Sequence, residues 1–174
     1  MKTTFKTTFK KALFCLAIAA SALLPSLNAQ AQAIGDFGEN QIIDTIFRAQ
    51  PTTLTANLFV GLSTTACSDS AIGTEVAGGS YARVSVARSL ANWAGTQGAA
   101  STTASTGTGG QTSNNVAVLF ATPTASWGAV SHVFVADAAT GSNLVFCQAL
   151  TIAKTINQGD TVSFPAGAIT FTVN

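Results

Sequence analysis

The chain contains few side chains suited to acid–base chemistry, and His132 is its only histidine. A serine hydrolase would need a nucleophile and an orienting carboxylate beside this imidazole. Ser131 and Asp137 are near in sequence, but alternation along a strand directs both side chains to the face opposite His132. No G-x-S-x-G turn, which would expose a nucleophilic serine, occurs in the sequence. The sequence therefore predicts a protein that is not an enzyme.

The acidic residues give no stronger signal for a reactive site. Asp137 and Asp160 could approach one another as the paired carboxylates of a glycosidase, but both occupy turn-like sequences. Aspartate in a turn commonly accepts hydrogen bonds from its own local backbone. A single histidine and scattered carboxylates give neither zinc-ligand spacing nor the dense acidic loop that calcium prefers. We expect neither a metal site nor a cofactor.

Three large aromatic residues, Tyr81, Trp93 and Trp127, could stack on a sugar if they formed an exposed platform. The ordinary alternative is that they fill the core, because large aromatic side chains mainly contribute buried apolar area. Residues 94–115 follow Trp93 and consist almost entirely of small and hydroxylic residues without a charge. This composition predicts a flexible loop or a weakly ordered linker. A glycosylated or saccharide-binding surface is the alternative for the same stretch.

Residues 1–33 have the pattern of a secretory signal peptide. Lysines at positions 2, 6, 10 and 11 precede an uncharged apolar run at 12–24, and Ala-x-Ala occurs at 29–31 and 31–33. We expect cleavage after Ala33 and a secreted protein, extracellular or on a bacterial cell surface. The apolar run is shorter than the roughly 20 residues that a membrane span needs, so no membrane span is expected.

Cleavage would leave residues 34–174 as a single domain and would change the charge balance. Only four basic residues remain against seven acids, a formal charge of −3. The four are scattered: Arg48, Arg83, Arg88 and Lys154. This distribution disfavours nucleic acid as a partner, because phosphate binding requires clustered basic side chains.

Two cysteines, Cys67 and Cys147, remain after the predicted cleavage removes Cys15. Paired cysteines in an exported domain favour a structural disulfide. A redox dithiol or a metal site would need closer spacing or more ligands. A bridge between two subunits remains the main alternative.

The elements that would position these residues are mostly short strands. Residues 34–50 form the exception, because Ile42, Ile43, Ile46 and Phe47 recur at helical spacing ahead of Pro51. This helical arm should pack its apolar face on a sheet, or alternatively dock on a neighbouring subunit. Apolar or alternating segments separated by turn residues predict strands near residues 54–63, 81–87, 116–121, 130–136, 144–150, 162–164 and 168–173.

This pattern favours an all-β fold, an antiparallel β-sandwich of jelly-roll or immunoglobulin-like type with a short N-terminal helix. Residues 116–121 are apolar enough to be buried on both faces. The expected core aromatics are Phe59, Phe120, Phe134, Phe146, Phe164 and Trp127.

Several motifs in fixed order resemble one family. GTEV and GGSYARV occupy residues 73–84, followed by a Gly/Ser/Thr-rich loop, SWG at 126–128, DAATG at 137–141 and GD at 159–160. Together with ENQIIDTIFR and LFVGLST nearer the start, they resemble the small tail fibre and virion structural proteins of bacteriophages. The resemblance covers about residues 39–174. It implies an all-β structural protein that assembles with itself or with other particle proteins.

The signal peptide and the paired cysteines modify this expectation, since phage proteins made in the cytoplasm need no secretion signal. The combined hypothesis is a secreted, non-enzymatic structural subunit that self-assembles into an extracellular fibre, sheath or appendage. The alternative is a carbohydrate-binding or adhesive module on the cell surface, with a glycan receptor as partner.

Overall fold

The structure, a computed structural model, describes residues 33–141 and 143–173. Within these ranges the chain forms one helix, α1 (Asp36–Phe47), and nine strands. The strands are β1 (Ala33–Ile34), β2 (Asn57–Ser63), β3 (Val84–Ala87), β4 (Gln111–Ser113), β5 (Val118–Leu119), β6 (Gly128–Ala136), β7 (Leu144–Ile156), β8 (Ser163–Phe164) and β9 (Thr170–Thr172). The predicted signal peptide lies outside the described residues, apart from Ala33, and the single domain at 34–174 stays a prediction.

The strands form antiparallel sheets, which confirms the predicted all-β class. Five strands pair in the order β1-β7-β6-β2-β3, while β4 pairs with β9 and β5 pairs with β8. The larger sheet and the two small sheets enclose the main apolar core in a sandwich-like arrangement. Its fully buried members include Val60 and Leu62 from β2, Val118 from β5, and Ile169 and Phe171 from the closing segment.

Irregular pairing between β6 and β7 breaks the predicted alternation of β6. Val130 lies opposite Lys154, whereas His132 lies opposite Ala149, so four residues of β7 stand beside one residue of β6. After such a bulge the side chains change faces. Val130 therefore joins the main core with Val133 and Val135, although uninterrupted alternation along the strand would place Val130 on the same face as His132 and Phe134.

The outer face of the large sheet carries a second apolar cluster. Phe134, Ala136, Leu144 and Cys147 are buried in it, with Cys67 and Ile72 packed against them. Both faces of the C-terminal half of β6 are consequently covered, which explains the apolar run from Val133 to Ala136.

Helix α1 forms close to its predicted position, but most of its predicted apolar face is not packed on the sheet. Gly38 is the buried residue of the helix, because its backbone lies against Val145 of β7 and the Ile34 side chain. Ile43, Ile46 and Phe47 remain 47, 68 and 79% exposed. Close contact through the glycine in the first turn leaves the second half of the helix uncovered, so the expectation of sheet packing is wrong for these three residues.

The region between residues 94 and 121 also departs from expectation. The predicted loop contains β4, which pairs with β9, so this stretch supplies part of a sheet. At residues 116–121 only one face is buried, because Val118 and Phe120 are covered while Leu119 is 61% exposed.

Among the expected core aromatics, Phe120, Phe134 and Trp127 are buried, while Phe59, Phe146 and Phe164 are half-buried.

Candidate functional site

Ser131 and His132 meet in the structure, contrary to the expectation from strand alternation. The Ser131 hydroxyl lies 2.8 Å from Nδ1 of His132, at the point where the β6–β7 pairing is irregular. Partial burial lowers the pKa of His132, because it disfavours the charged imidazolium. Within the described residues no carboxylate forms a hydrogen bond with this imidazole. The pair therefore lacks the orienting acid of a hydrolase triad.

The two candidate acids are each bound within their own turns. Both oxygens of Asp137 accept hydrogen bonds from Asn143, one from its backbone N–H at 2.9 Å and one from its side-chain amide at 2.8 Å. Asp160 accepts a hydrogen bond from the backbone N–H of Asn157 at 2.8 Å. Within residues 33–141 and 143–173, no group of three histidine, cysteine or acidic residues is placed to hold a metal ion.

Cys67 and Cys147 form a disulfide within the chain. Cys147 lies on β7, and Cys67 lies in the connection after β2, so the bridge joins two segments separated by 80 positions in sequence. The half-buried Cys67 and the buried Cys147 both belong to the outer apolar cluster. The bridge holds the 64–76 connection against the large sheet.

The GTEV and GGSYARV motifs form a charged network that begins at Glu75, near the end of that connection. Arg83 is only 2% exposed in its side chain and donates from Nε and Nη2 to the two oxygens of Glu75, each at 2.7 Å. The same guanidinium donates to the backbone carbonyls of Ala138 at 2.7 Å and Gly141 at 3.1 Å. It also lies 5.1 Å from the centroid of the Phe134 ring. Arg83 thus joins three separate segments of the chain.

Tyr81 extends this network into the main core. Its hydroxyl donates to Glu75 at 3.0 Å and accepts the backbone N–H of Leu62 at 2.8 Å. Burial, reinforced by the neighbouring Glu75 charge, raises the pKa of Tyr81 well above its usual value. The ring packs edge-on against Trp127, whose indole N–H donates to the carbonyl of Gly79 at 3.0 Å.

This packing overturns the idea of a sugar platform made of all three large aromatics. Trp127 is 5% exposed, and Tyr81 is held between Phe120 and Trp127. Both residues pack in the core and form hydrogen bonds within the chain. Trp93 alone remains beside an open space.

Trp93 lines an open cavity of about 450 Å³. The other apolar walls come from both layers of the fold: Leu58, Val135, Phe146 and Phe171. Arg88 and the hydroxylic residues Ser89, Ser105 and Thr112 also line it. The indole Nε1 of Trp93 is buried and has no hydrogen-bond partner among the described residues. The cavity therefore offers a mainly apolar surface with one arginine and several hydroxyl groups on its walls.

One comparison with known proteins identifies the family. The family model described as Podophage GP4 fiber I protein gp80 matches residues 33–172. The chain belongs to this fibre protein family. The match spans all elements from β1 to β9, and with them the charged network, the disulfide and the Trp93 cavity. A search of curated proteins finds no match.

Membership in the fibre family confirms the predicted resemblance. It supports a role as a structural component of a fibre. Such a role suggests that the protein has no enzymatic activity. The helix of the described residues is too short and too polar to cross a bilayer.

Two features of the site were not predicted individually from the sequence. Glu75 and Arg83 belong to the motifs of the family resemblance, but no pattern in them indicates an ion pair. The available signal is that Arg83 and Tyr81 share one face of the predicted strand 81–87, whose other face is apolar. The sequence indicates sugar stacking as one possible role of Trp93, whereas the cavity beside it depends on segments far apart in the sequence. No pattern in the sequence indicates that the Trp93 indole N–H lacks a hydrogen-bond partner among the described residues.

Proposed function

We propose that this protein is a structural subunit that assembles with copies of itself into a fibre, sheath or appendage outside the cytoplasm. The observation that carries the proposal is the fibre-family match over residues 33–172. An assembly role also accounts for the exposed apolar residues of α1, since contiguous exposed apolar surface marks protein interaction sites.

Export is part of the proposal and is supported by two independent features. The first 33 residues carry the signal-peptide pattern. The chain also contains a disulfide between Cys67 and Cys147, a bond that persists in oxidising compartments. Fractionation of the producing cells should place the protein outside the cytoplasm, and mass spectrometry should find a mature N-terminus at Ile34. Retention in the cytoplasm with residues 1–33 intact would contradict export.

Self-assembly is tested separately, on the purified mature protein. Size-exclusion chromatography with light scattering should show species whose mass increases with protein concentration, and negative-stain images of the native surface should show ordered polymers. A protein that stays strictly monomeric at high concentration, with no ordered polymer at the surface, would contradict the proposal.

An adhesive module remains the second candidate, supported by the position of Trp93 beside an open cavity with hydroxylic residues on its walls. Trp93→Ala should then abolish binding on a glycan array, while circular dichroism remains unchanged. Ile152→Ala is a matched control, because Ile152 is 80% exposed and lies outside the cavity lining. Absence of any glycan bound by the unaltered protein would exclude this candidate.

A further inference from the structure

Two surfaces of the chain have complementary chemistry, and neither is filled by the residues that the structure describes. The first is the apolar stripe of α1, formed by Ile43, Ile46 and Phe47. The exposed fraction rises along the helix to 79% at Phe47. These residues are three and four positions apart, so they form one continuous face at the C-terminal half of the helix. An uncovered phenylalanine on such a face gains most from burial, since each buried aromatic side chain removes a large apolar area from water.

The second surface is the cavity beside Trp93. Its volume of about 450 Å³ is within the range of about 300 to 1,000 Å³ that is typical of sites for small groups. Apolar side chains from both layers form its floor, so an apolar group is the favoured occupant. Arg88 also lines the cavity. A suitable occupant would therefore bring a hydrogen-bond acceptor with negative charge together with its apolar group.

The end of α1 supplies both properties. The last carbonyl groups of a helix have no partner within the helix, and they carry its partial negative charge. The last turn of α1 contains no basic residue that would compensate this charge, and the Arg48 that follows is paired with Asp44. At the cavity, Arg88 uses Nη1 for the carbonyls of Leu54 and Thr55. Its remaining N–H groups place positive charge at the cavity, which complements a helix C-terminus.

We infer that the Trp93 cavity of one subunit receives Phe47 from helix α1 of a second copy of this chain. Phe47 fills the apolar space, and carbonyl groups from the last turn of the helix accept hydrogen bonds from Arg88. The inference deepens the proposed self-assembly and rests on it. Because the helix end and the cavity are different surfaces, repeated docking either closes into a ring or extends into a fibre.

The test uses one variant on each side of the contact. Phe47→Ser removes the docked side chain, and Ser89→Trp places a bulky side chain at the cavity, where the exposed Ser89 hydroxyl makes no hydrogen bond with any described residue. Each variant should raise the concentration needed for half-assembly at least about tenfold. Ile152→Ser is the matched control, because Ile152 is equally exposed on β7, and it should assemble like the unaltered protein. Circular dichroism and thermal unfolding establish that each variant is folded.

Mixing the two folded variants gives the decisive measurement. The Phe47→Ser subunit retains an intact cavity, and the Ser89→Trp subunit retains an intact helix, so each mixed pair can form one docking contact. We expect light scattering to show mixed pairs and no longer polymers. Assembly of either variant at the same concentration as the unaltered protein would overturn the inference, even though self-assembly itself would stand. Unaltered assembly of Ser89→Trp with loss of glycan binding would assign the cavity to a glycan instead. A monomeric unaltered protein would refute the proposed function first.

Discussion

Arg83 and Glu75 form a two-point ion pair in which both N–H···O distances are 2.7 Å and the arginine side chain is 2% exposed. Such a pair is geometrically favourable because the planar guanidinium matches the two carboxylate oxygens. The remaining arginine contacts reach the carbonyls of Ala138 and Gly141. The pair therefore fixes the β6–β7 turn against the connection between β2 and β3.

Replacing Arg83 with alanine should lower the free energy of unfolding by about 3 to 5 kcal/mol, because a partly buried carboxylate and two carbonyls would lose their donor. Arg83→Lys should lose an intermediate amount, since an ammonium group cannot reproduce the two-point geometry. Urea unfolding of the oxidised protein measures both changes.

The control for this substitution is Arg48→Ala. Arg48 pairs with Asp44 at the same distance of 2.7 Å, but its side chain is 67% exposed. Solvent screens an exposed helical pair of this kind, so its removal should cost no more than about 0.5 kcal/mol. Equal losses for Arg48→Ala and Arg83→Ala would contradict the assigned importance of burial.

Tyr81 should make the stability of the protein sensitive to alkaline pH. Burial raises the pKa of its phenol above the ordinary value of 10.0, so the folded state favours the neutral form. The resulting stabilisation is fully present below pH 10, and it is lost as the pH rises from there towards the folded pKa. Tyr81→Phe should lack this alkaline decline, although it should cost about 1 to 3 kcal/mol at neutral pH through the unpaired Leu62 N–H.

The ionisation can be followed directly, because Tyr81 is the only tyrosine in the chain. Tyrosinate ultraviolet absorbance should appear together with the loss of folded structure seen by circular dichroism. A tyrosinate signal near pH 10 in a chain that is still folded would contradict the assigned environment.

The sequence allowed the class of fold to be predicted, because most strands carry their own local signals. Residues 130–136 and 144–150 alternate or run apolar between turn residues, and both predictions correspond to strands, β6 and β7. Strand β4 could not be predicted in the same way. Its residues, Gln111–Ser113, have little intrinsic strand character, and they form a strand because β9 supplies a hydrogen-bonding partner.

The candidate site was less predictable, since it depends on registers and close approaches between distant segments. Ser131 and His132 come together only where four residues of β7 stand beside one residue of β6. Helical spacing predicted α1 correctly, but it could not show which part of the helix is covered. Which part of the helix is covered depends on the close contact between Gly38 and the backbone of Val145.

Removing the disulfide should destabilise the protein strongly. The double variant Cys67→Ala/Cys147→Ala should lose about 4 to 5 kcal/mol of unfolding free energy, because the bridge constrains a loop of 80 residues in the unfolded chain. Urea unfolding with and without reductant measures the effect. Reductant should destabilise the unaltered protein and leave the double variant unchanged. A covalent dimer of the unaltered protein on a non-reducing gel would contradict the bridge within one chain.

The last prediction concerns Gly61 and Phe134, which face each other across β2 and β6. A Cβ atom at Gly61 would overlap the Phe134 ring, and this ring is fully buried. Gly61→Ala should therefore cost roughly 1 to 3 kcal/mol through overpacking.

A double-mutant cycle separates this overlap from any general effect of changing β2. Phe134→Leu should lose stability alone, but Gly61→Ala/Phe134→Leu should lose less than the sum of the two single changes, because the smaller side chain makes room for the added methyl group. Asn57→Ala, at an exposed position of the same strand, should change stability by no more than about 0.5 kcal/mol. Strict additivity in urea unfolding would show that the contact between Gly61 and the Phe134 ring does not limit packing on this face of the sheet.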